Sequence, residues 1–233
     1  MTNSTQKWWG VAAVALFLCL VPCAFADSGN LTLTGAGNNV MDGVYVGPYY
    51  ATVNGVANTT VICDDFADES VIGHSWAYTA NNFSTLGNAL WGNQLQNYES
   101  AAWLTLQMLA INGNPNSNTE VGYLSFAIWS LFDKAALNGL TATQLAGVNS
   151  WLAKIPQNLT PGEFANIIIL TPQNCTPGTC PGQEFFEVMP EGGSAAMYLL
   201  VAGLACFGAM RLRPRRYGSG QIPGPFDTPS AVE

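Results

Sequence analysis

The sequence predicts an α+β fold, in which an antiparallel sheet holds an inserted three-helix segment and one membrane helix follows at the C-terminus. Two observations indicate this class. The pair Asn54-Gly55 lies between β-branched runs, which is typical of a β-hairpin. Apolar residues at helical spacing then fill the middle of the chain, and short β-branched runs return after them. The order of strands, helices and strands predicts an α+β domain without repeats, which we place at residues 27–188.

Strands are predicted on both sides of the helices. The first group precedes the helical segment and is rich in β-branched and aromatic residues, which favour a pleated, half-buried surface. It comprises residues 44–53, 58–63 and 71–78. The second group comprises residues 166–170 and 184–188.

Three helices are predicted between these groups of strands. Residues 99–111 are apolar on almost every side, as in a buried helix. Residues 120–134 have one apolar face, with Thr119 as the expected N-cap. Thr141 and Gln144 form a capping box for the third helix, which Pro156 ends.

The N-terminus has the pattern of a cleaved secretion signal over residues 1–26. Lys7 precedes an apolar run of residues 10–21, and a small-x-small site ends at Ala26. The apolar run is shorter than the ~20 residues that a membrane span needs. We therefore expect export and cleavage after Ala26 by a secretion signal peptidase.

A second apolar run, at about residues 194–210, predicts a membrane helix near the short limit of ~17 residues. A cluster of arginines in residues 211–216 follows the run and acts as the stop signal: Arg211, Arg213, Arg215 and Arg216. Basic residues stay on the cytoplasmic side. The polar tail, residues 217–233, is then cytoplasmic before any processing, and the domain lies in the cell envelope outside the cytoplasm.

Residues 189–216 resemble the PEP-CTERM sorting signal of bacterial envelope proteins. Met189-Pro190-Glu191 is followed by the apolar run and then by the arginines, in that order. The resemblance implies processing at the motif of Pro190 and Glu191 by an exosortase, a membrane protease. Gly192 stands where a second proline usually follows, and the tail continues beyond the arginines.

The charge of the domain restricts its partners. Charged residues are 9% of the chain, and residues 27–188 carry two lysines against twelve acidic residues. This balance excludes nucleic acid as a partner and favours cations or basic groups.

Three cysteines belong to the domain. Cys175 and Cys180 flank the turn pair Pro177-Gly178, which predicts a local disulfide in an exported protein. Cys63 is then unpaired.

The segment after Cys63 carries the densest group of acidic residues: Asp64, Asp65, Asp68 and Glu69. Four carboxylates are a candidate calcium site, although their spacing is not that of an EF-hand. In the alternative interpretation, Asp64 and Asp65 end a strand and stay solvated. No other cofactor is predicted.

Catalytic patterns are absent from the sequence. His74 is the only histidine, so any Cys-His or Ser-His-Asp site must use it. The chain has neither a nucleophile elbow nor an HExxH motif. The sequence therefore predicts a protein that is not an enzyme, with Cys63 as the candidate nucleophile should it be one.

Three short motifs are similar to those of bacterial thioester domains: Cys63-Asp64, Tyr98-x-x-Ala101-Ala102-Trp103-Leu104 and Ala127-Ile128-Trp129. Those domains are surface adhesins in which a cysteine bonded to a glutamine side chain captures nucleophiles. The cysteine corresponds to Cys63, whereas the glutamine position is occupied by Ser125. The resemblance implies a scaffold that has lost the bond, leaving a buried thiol. Gln107 is a conceivable substitute for the missing glutamine.

These observations predict a non-enzymatic surface, matrix or adhesion protein with surface polysaccharide or matrix as its partner. The alternative is a reactive thioester-type adhesin, or a hydrolase, that uses Cys63.

Overall fold

The computed structural model describes residues 28–114 and 117–189. The predicted signal and Ala26 lie outside these residues. So do Pro190, Glu191, the membrane helix at about 194–210, the arginines of residues 211–216 and the tail. Among the described residues, no helix is both long and apolar enough to cross a membrane.

Six strands form a closed antiparallel barrel, and two short strands form a separate hairpin. In chain order the strands are β1 (Ser28–Ala36), β2 (Val40–Met41), β3 (Val44–Tyr45), β4 (Tyr49–Val53), β5 (Val56–Cys63), β6 (Ser75–Asn81), β7 (Ile167–Pro172) and β8 (Phe185–Val188). The order around the barrel is β1-β4-β5-β8-β7-β6, and β2 pairs with β3 alone. The predicted antiparallel sheet is confirmed, and the structure adds its closure.

The three predicted helices are present between β6 and β7: α1 (Leu95–Ile111), α2 (Asn118–Phe132) and α3 (Ala142–Leu152). The capping box of Thr141 and Gln144 is confirmed at the start of α3. The predicted N-cap at Thr119 is wrong, because α2 already includes this residue and Ser117 precedes the helix.

Two predicted strands have different bounds for reasons visible in the backbone. The run at 44–53 is split into β3 and β4, because Gly47 has a φ of +100° and Pro48 follows it. The run at 71–78 begins only at Ser75, since Gly73 has a φ of +90° and forms a turn. Strand β1, whose Leu31 and Leu33 point into the core, was not predicted.

One hydrophobic core joins the barrel to the helices. Polar contacts fix the position of α2 on it. Trp129 Nε1 donates to the carbonyl of Cys63 at 3.0 Å. Ser125 Oγ accepts a hydrogen bond from the backbone N–H of Gly47 at 2.8 Å and donates to the Val121 carbonyl. The helix is therefore attached both to the end of β5 and to the segment before β4.

We expect Gly47→Ala to lower the free energy of unfolding by about 2–4 kcal/mol. The left-handed backbone is strained by any side chain, and a Cβ here would lie 2.5 Å from Val121 Cγ1. Gly43→Ala is the matched control, because Gly43 has a φ of +80° and no atom within 4 Å of the added Cβ. Urea unfolding of both variants checks the prediction, and equal losses would contradict it.

Candidate functional site

The residues singled out in the sequence meet at one end of the barrel. Cys63 at the end of β5 pairs with Phe185 at the start of β8. This register places the acidic segment after β5 next to the segment before β8, and Asp64 N donates to the Glu184 carbonyl at 3.4 Å. We call the buried residues Asp64, Asp65, Asp68 and Glu184 the acidic cluster.

Cys63 is a free cysteine and only 2% exposed. Its thiol donates to the backbone carbonyl of Asp65 at 3.1 Å. Burial raises the pKa of this thiol well above its ordinary value, and the negative charges of Asp65 and Asp64 raise it further. The thiolate, which is the nucleophile, is therefore strongly disfavoured.

The residues considered as partners of the thiol lie elsewhere. Ser125, at the position of the missing glutamine, bonds to Gly47 and Val121 instead. His74 is exposed and contacts the ring of Trp76, with ring centroids 6.3 Å apart. Within the described residues, no hydrogen bond joins Gln107 or His74 to the thiol.

Gln183 is the neighbour of Cys63 that the sequence analysis missed. Its side-chain Nε2 donates to the Asp65 carbonyl at 2.7 Å, and the Cys63 thiol donates to the same oxygen. The backbone N–H of Gln183 donates to Ser70 Oγ at 2.9 Å, which fixes the residue in place. Only the pairing of β5 with β8 brings Gln183 close to Cys63, since 120 positions of sequence separate these two residues.

Asp64 and Glu184 are both completely buried. Glu184 accepts hydrogen bonds from the Tyr98 hydroxyl at 2.7 Å, from Leu90 N at 2.9 Å and from Thr171 Oγ1. Burial raises the pKa of Asp64 well above its ordinary value, and the Glu184 charge raises it further. Burial also raises the pKa of Glu184, although its three donors oppose this by favouring the charged form, so the two carboxyl groups hold a proton between them.

The other two members of the cluster hold the loops beside it. The Asp65 carboxylate accepts from Ala67 N at 2.9 Å and from Asp68 N at 3.3 Å. Burial and the neighbouring Asp68 raise the pKa of Asp65 to about 7. The interpretation that Asp64 and Asp65 stay solvated is wrong, because the end of β5 is covered by β8 and the helices.

The predicted disulfide between Cys175 and Cys180 is confirmed, with Cα atoms 4.9 Å apart. Its loop holds the Asp68 carboxylate, which accepts from Gly178 N at 3.0 Å and from Cys180 N at 2.7 Å. Within the described residues, every hydrogen-bond donor to the acidic cluster is thus a neutral group.

The candidate calcium ligands serve other purposes in this fold. Asp64 faces Glu184, Asp65 and Asp68 accept backbone N–H groups, and Glu69 is exposed. Among the residues that the structure describes, no group of three or more histidine, cysteine or acidic side chains is arranged to hold a metal ion. The residues at this end do not fit a calcium site.

The solved structures that are similar to this chain include the following two. One is the N-terminal domain of the Streptococcus pyogenes pilus tip adhesin Cpa, which is 12% identical, with a TM-score of 0.39; the match covers 70% of this chain and 93% of that one. The other is the N-terminal thioester domain of the fibronectin-binding protein SfbI from Streptococcus pyogenes. It is also 12% identical, with a TM-score of 0.42 and coverage of 72% and 97%. Comparisons with protein-family models and with curated proteins found no match.

The acidic cluster makes stability depend on pH in a direction that can be tested. The pKa values of Asp64 and Asp65 are raised in the folded state, so their contribution is complete below the unfolded value of about 4 and is lost as pH rises. Between about pH 4 and about pH 8 we expect the free energy of unfolding to fall by roughly 2–4 kcal/mol.

Asp64→Asn should reduce this slope, because the amide donates to Glu184 without having to ionise. Asp42→Asn, at an exposed position, is the control that should leave the slope unchanged. Chemical denaturation at several pH values measures the effect. A wild-type protein that gains stability over this range would show that the cluster is ionised without cost.

Proposed function

We propose that this chain is an exported bacterial envelope protein whose domain serves in adhesion or in the surface matrix without catalysing a reaction. The observation that carries the proposal is the state of Cys63. Its thiol is buried and bonded to the backbone, burial and the neighbouring carboxylates raise its pKa, and no histidine among the described residues bonds to it. The domain therefore acts through its exposed side chains and not through a reactive thiol.

The barrel end that buries the acidic cluster also displays apolar side chains. We call the loops that join the strands at this end, residues 37–48, 64–74 and 173–184, the barrel-end loops. Val40, Tyr45, Val71 and Ile72 are 59%, 54%, 67% and 52% exposed on these loops. These four exposed side chains lie at the same end of the barrel, and we take them as the proposed contact surface.

The barrel-end loops are held in place by the contacts described above. Asp65 bonds to the backbone at Ala67, and Asp68 bonds to the disulfide loop. Gly73 N donates to the carbonyl of Leu33, which joins the 64–74 loop to β1. A loop that is ordered before binding loses less entropy when it meets a partner.

The proposed location rests on the two sequence patterns that flank the domain. The signal over residues 1–26 supports export, and the segment at 189–216 supports a membrane anchor. In this proposal, signal peptidase and an exosortase-type protease process the chain. A surface polysaccharide or matrix component is the partner, because the domain carries acids and neutral polar residues with few bases.

Removing the exposed apolar side chains should weaken attachment. We expect cells that display the chain with Val71→Ser and Ile72→Ser to retain less of their surface polymer in a wash assay than wild-type cells. Val56→Ser is the matched control, because Val56 is 65% exposed on the β4–β5 turn at the opposite end of the barrel. If the double variant retains as much polymer as the wild type, the barrel-end loops are not the binding surface.

A reactive thioester is the second candidate function, and the position of Gln183 is the observation that favours it. Its amide and the Cys63 thiol donate to one carbonyl oxygen. Bond formation would join Sγ to Cδ of Gln183 and break the C–N bond, and ammonia would leave with the thiol proton. An amine from a partner would then open the bond, form an amide with Gln183 and regenerate the thiol.

Intact mass and alkylation separate the two functions. For the leading proposal we expect the full mass, with Cys63 unreactive in the native protein and alkylated after denaturation. A protein one ammonia lighter, whose Cys63 stays blocked in denaturant, would overturn this expectation. Gln183→Ala would then restore both mass and alkylation, whereas Gln107→Ala would change neither.

A further inference from the structure

An open pocket of about 570 Å³ lies where β6 and β7 meet the segment before α1 and the disulfide loop. Most of the residues that line it carry a hydroxyl or an amide group, and none of them is charged. Its volume lies within the range of about 300–1,000 Å³ that small-ligand pockets occupy. The pocket is therefore large enough for a ligand and offers it neutral polar groups.

Three amide side chains give this pocket hydrogen-bonding capacity that the fold does not use. Asn88 and Asn174 are exposed, and among the described residues nothing bonds to their side chains. Gln173 donates through Nε2 to the Tyr78 carbonyl at 3.0 Å and to Thr79 Oγ1 at 3.3 Å, which leaves its Oε1 as an acceptor. An amide group presents donors and an acceptor side by side. The pocket therefore suits a ligand that both donates and accepts.

The wall that carries Gln173 and Asn174 is fixed before a ligand arrives. The backbone N–H of Gln173 donates to the Ala77 carbonyl at 3.0 Å, which joins the wall to β6. The disulfide of Cys175 closes the loop that follows, and Thr176 N donates to Thr179 Oγ1 at 3.1 Å inside it. A wall that is ordered in the free protein loses less entropy on binding.

A buried carboxylate lies behind the lining of the pocket. Leu90 N at 2.9 Å and Thr171 Oγ1 both donate to Glu184, and both residues line the pocket. Glu184 itself is completely buried and does not line it. The proton held between Asp64 and Glu184 leaves this pair one negative charge. Because no basic residue lines the pocket, this charge disfavours ligands that carry carboxylate, sulfate or phosphate groups.

We propose that this pocket binds an uncharged sugar unit of the surface polymer; the choice of polymer rests on the proposed function. Sugar hydroxyls donate and accept, as the amide side chains of the pocket do. Ala89, Leu90 and Pro172 offer apolar atoms to the C–H groups of the ring.

Other classes of ligand fit this pocket less well. A metal ion needs several oxygen ligands and prefers carboxylates, and none lines the pocket. An extended peptide that adds to a sheet needs a free strand edge, whereas β6 and β7 are each paired on both sides in the closed barrel.

The test is a calorimetric titration of the full chain, in a detergent without a sugar headgroup, with neutral trisaccharides. The set comprises a hexose, a deoxyhexose and an N-acetylhexosamine trisaccharide. We expect at least one of them to bind. The uronic acid trisaccharide of matching linkage should bind at least about threefold more weakly, because the Glu184 charge repels its carboxylates.

Asn88→Ala combined with Asn174→Gly should lower the affinity for the bound trisaccharide at least about fivefold, because two amide groups are lost. Asn58→Gly combined with Asn112→Ala is the matched control, which should stay within about twofold of wild type. Asn58 and Asn174 are both exposed and have φ values of +59° and +60°, so glycine suits both backbones. Thermal unfolding checks the fold of each variant.

Sugar binding at the pocket is overturned if no neutral trisaccharide binds, or if the uronic acid form binds as tightly. It is also overturned if the two double variants weaken binding to the same extent. The peptide acetyl-Gly-Ser-Gly-amide has backbone amides and a hydroxyl but no sugar ring. If it binds as tightly as the best trisaccharide, the pocket takes a protein segment instead.

The cell-wash comparison fails or succeeds separately from this titration. If Val71→Ser and Ile72→Ser release polymer from cells while no neutral trisaccharide binds the chain, sugar binding at the pocket is refuted and the proposed function stands. If these cells keep their polymer while trisaccharides bind with the expected dependence on Asn88 and Asn174, the contact surface around Val71 and Ile72 is refuted and the pocket stands.

Discussion

The pairing of β5 with β8 is the constraint on which the rest of this domain depends. It places Cys63 opposite Phe185 and Asp64 beside Glu184, although the helical segment separates the two strands in the chain. Without this register the barrel stays open, and the acidic segment after β5 has no cover. The proton that Asp64 and Glu184 share is also a consequence of the pairing, because two carboxylates brought this close inside a protein cannot both ionise.

Burial of these carboxyl groups costs desolvation free energy, and hydrogen bonds from neutral donors offset part of this cost. Tyr98, Thr171 and Leu90 stabilise the Glu184 carboxylate, and backbone N–H groups stabilise those of Asp65 and Asp68. Pairing these carboxylates with a buried lysine would add the desolvation cost of the ammonium group, and the described residues include only two lysines. The benefit of this arrangement is specificity, since Asp65, Asp68 and Glu184 each fix a loop or strand to a neighbouring segment.

What the sequence predicted is mostly local, and what it missed depends on contacts distant in the chain. The capping box of Thr141 and the disulfide of Cys175 with Cys180 rest on neighbouring residues, and both were predicted. The closure of the barrel and the roles of Glu184 and Gln183 depend on which strands become neighbours. A hydrophobic pattern does not encode that choice. Asp64 was assigned to solvent as the alternative to a metal site, because nothing near it in the sequence shows that β8 covers it.

The disulfide has a structural role in this arrangement that the short length of its loop does not suggest. Closing a loop of so few residues restricts the unfolded chain only slightly, so its entropic contribution is small. Its structural effect is to direct Gly178 N and Cys180 N toward Asp68. Asp68 in turn lies beside Asp65, whose carbonyl holds both the Cys63 thiol and the Gln183 amide. The disulfide therefore belongs to the same network as the buried thiol, and an oxidising compartment outside the cytoplasm is where such a network is stable.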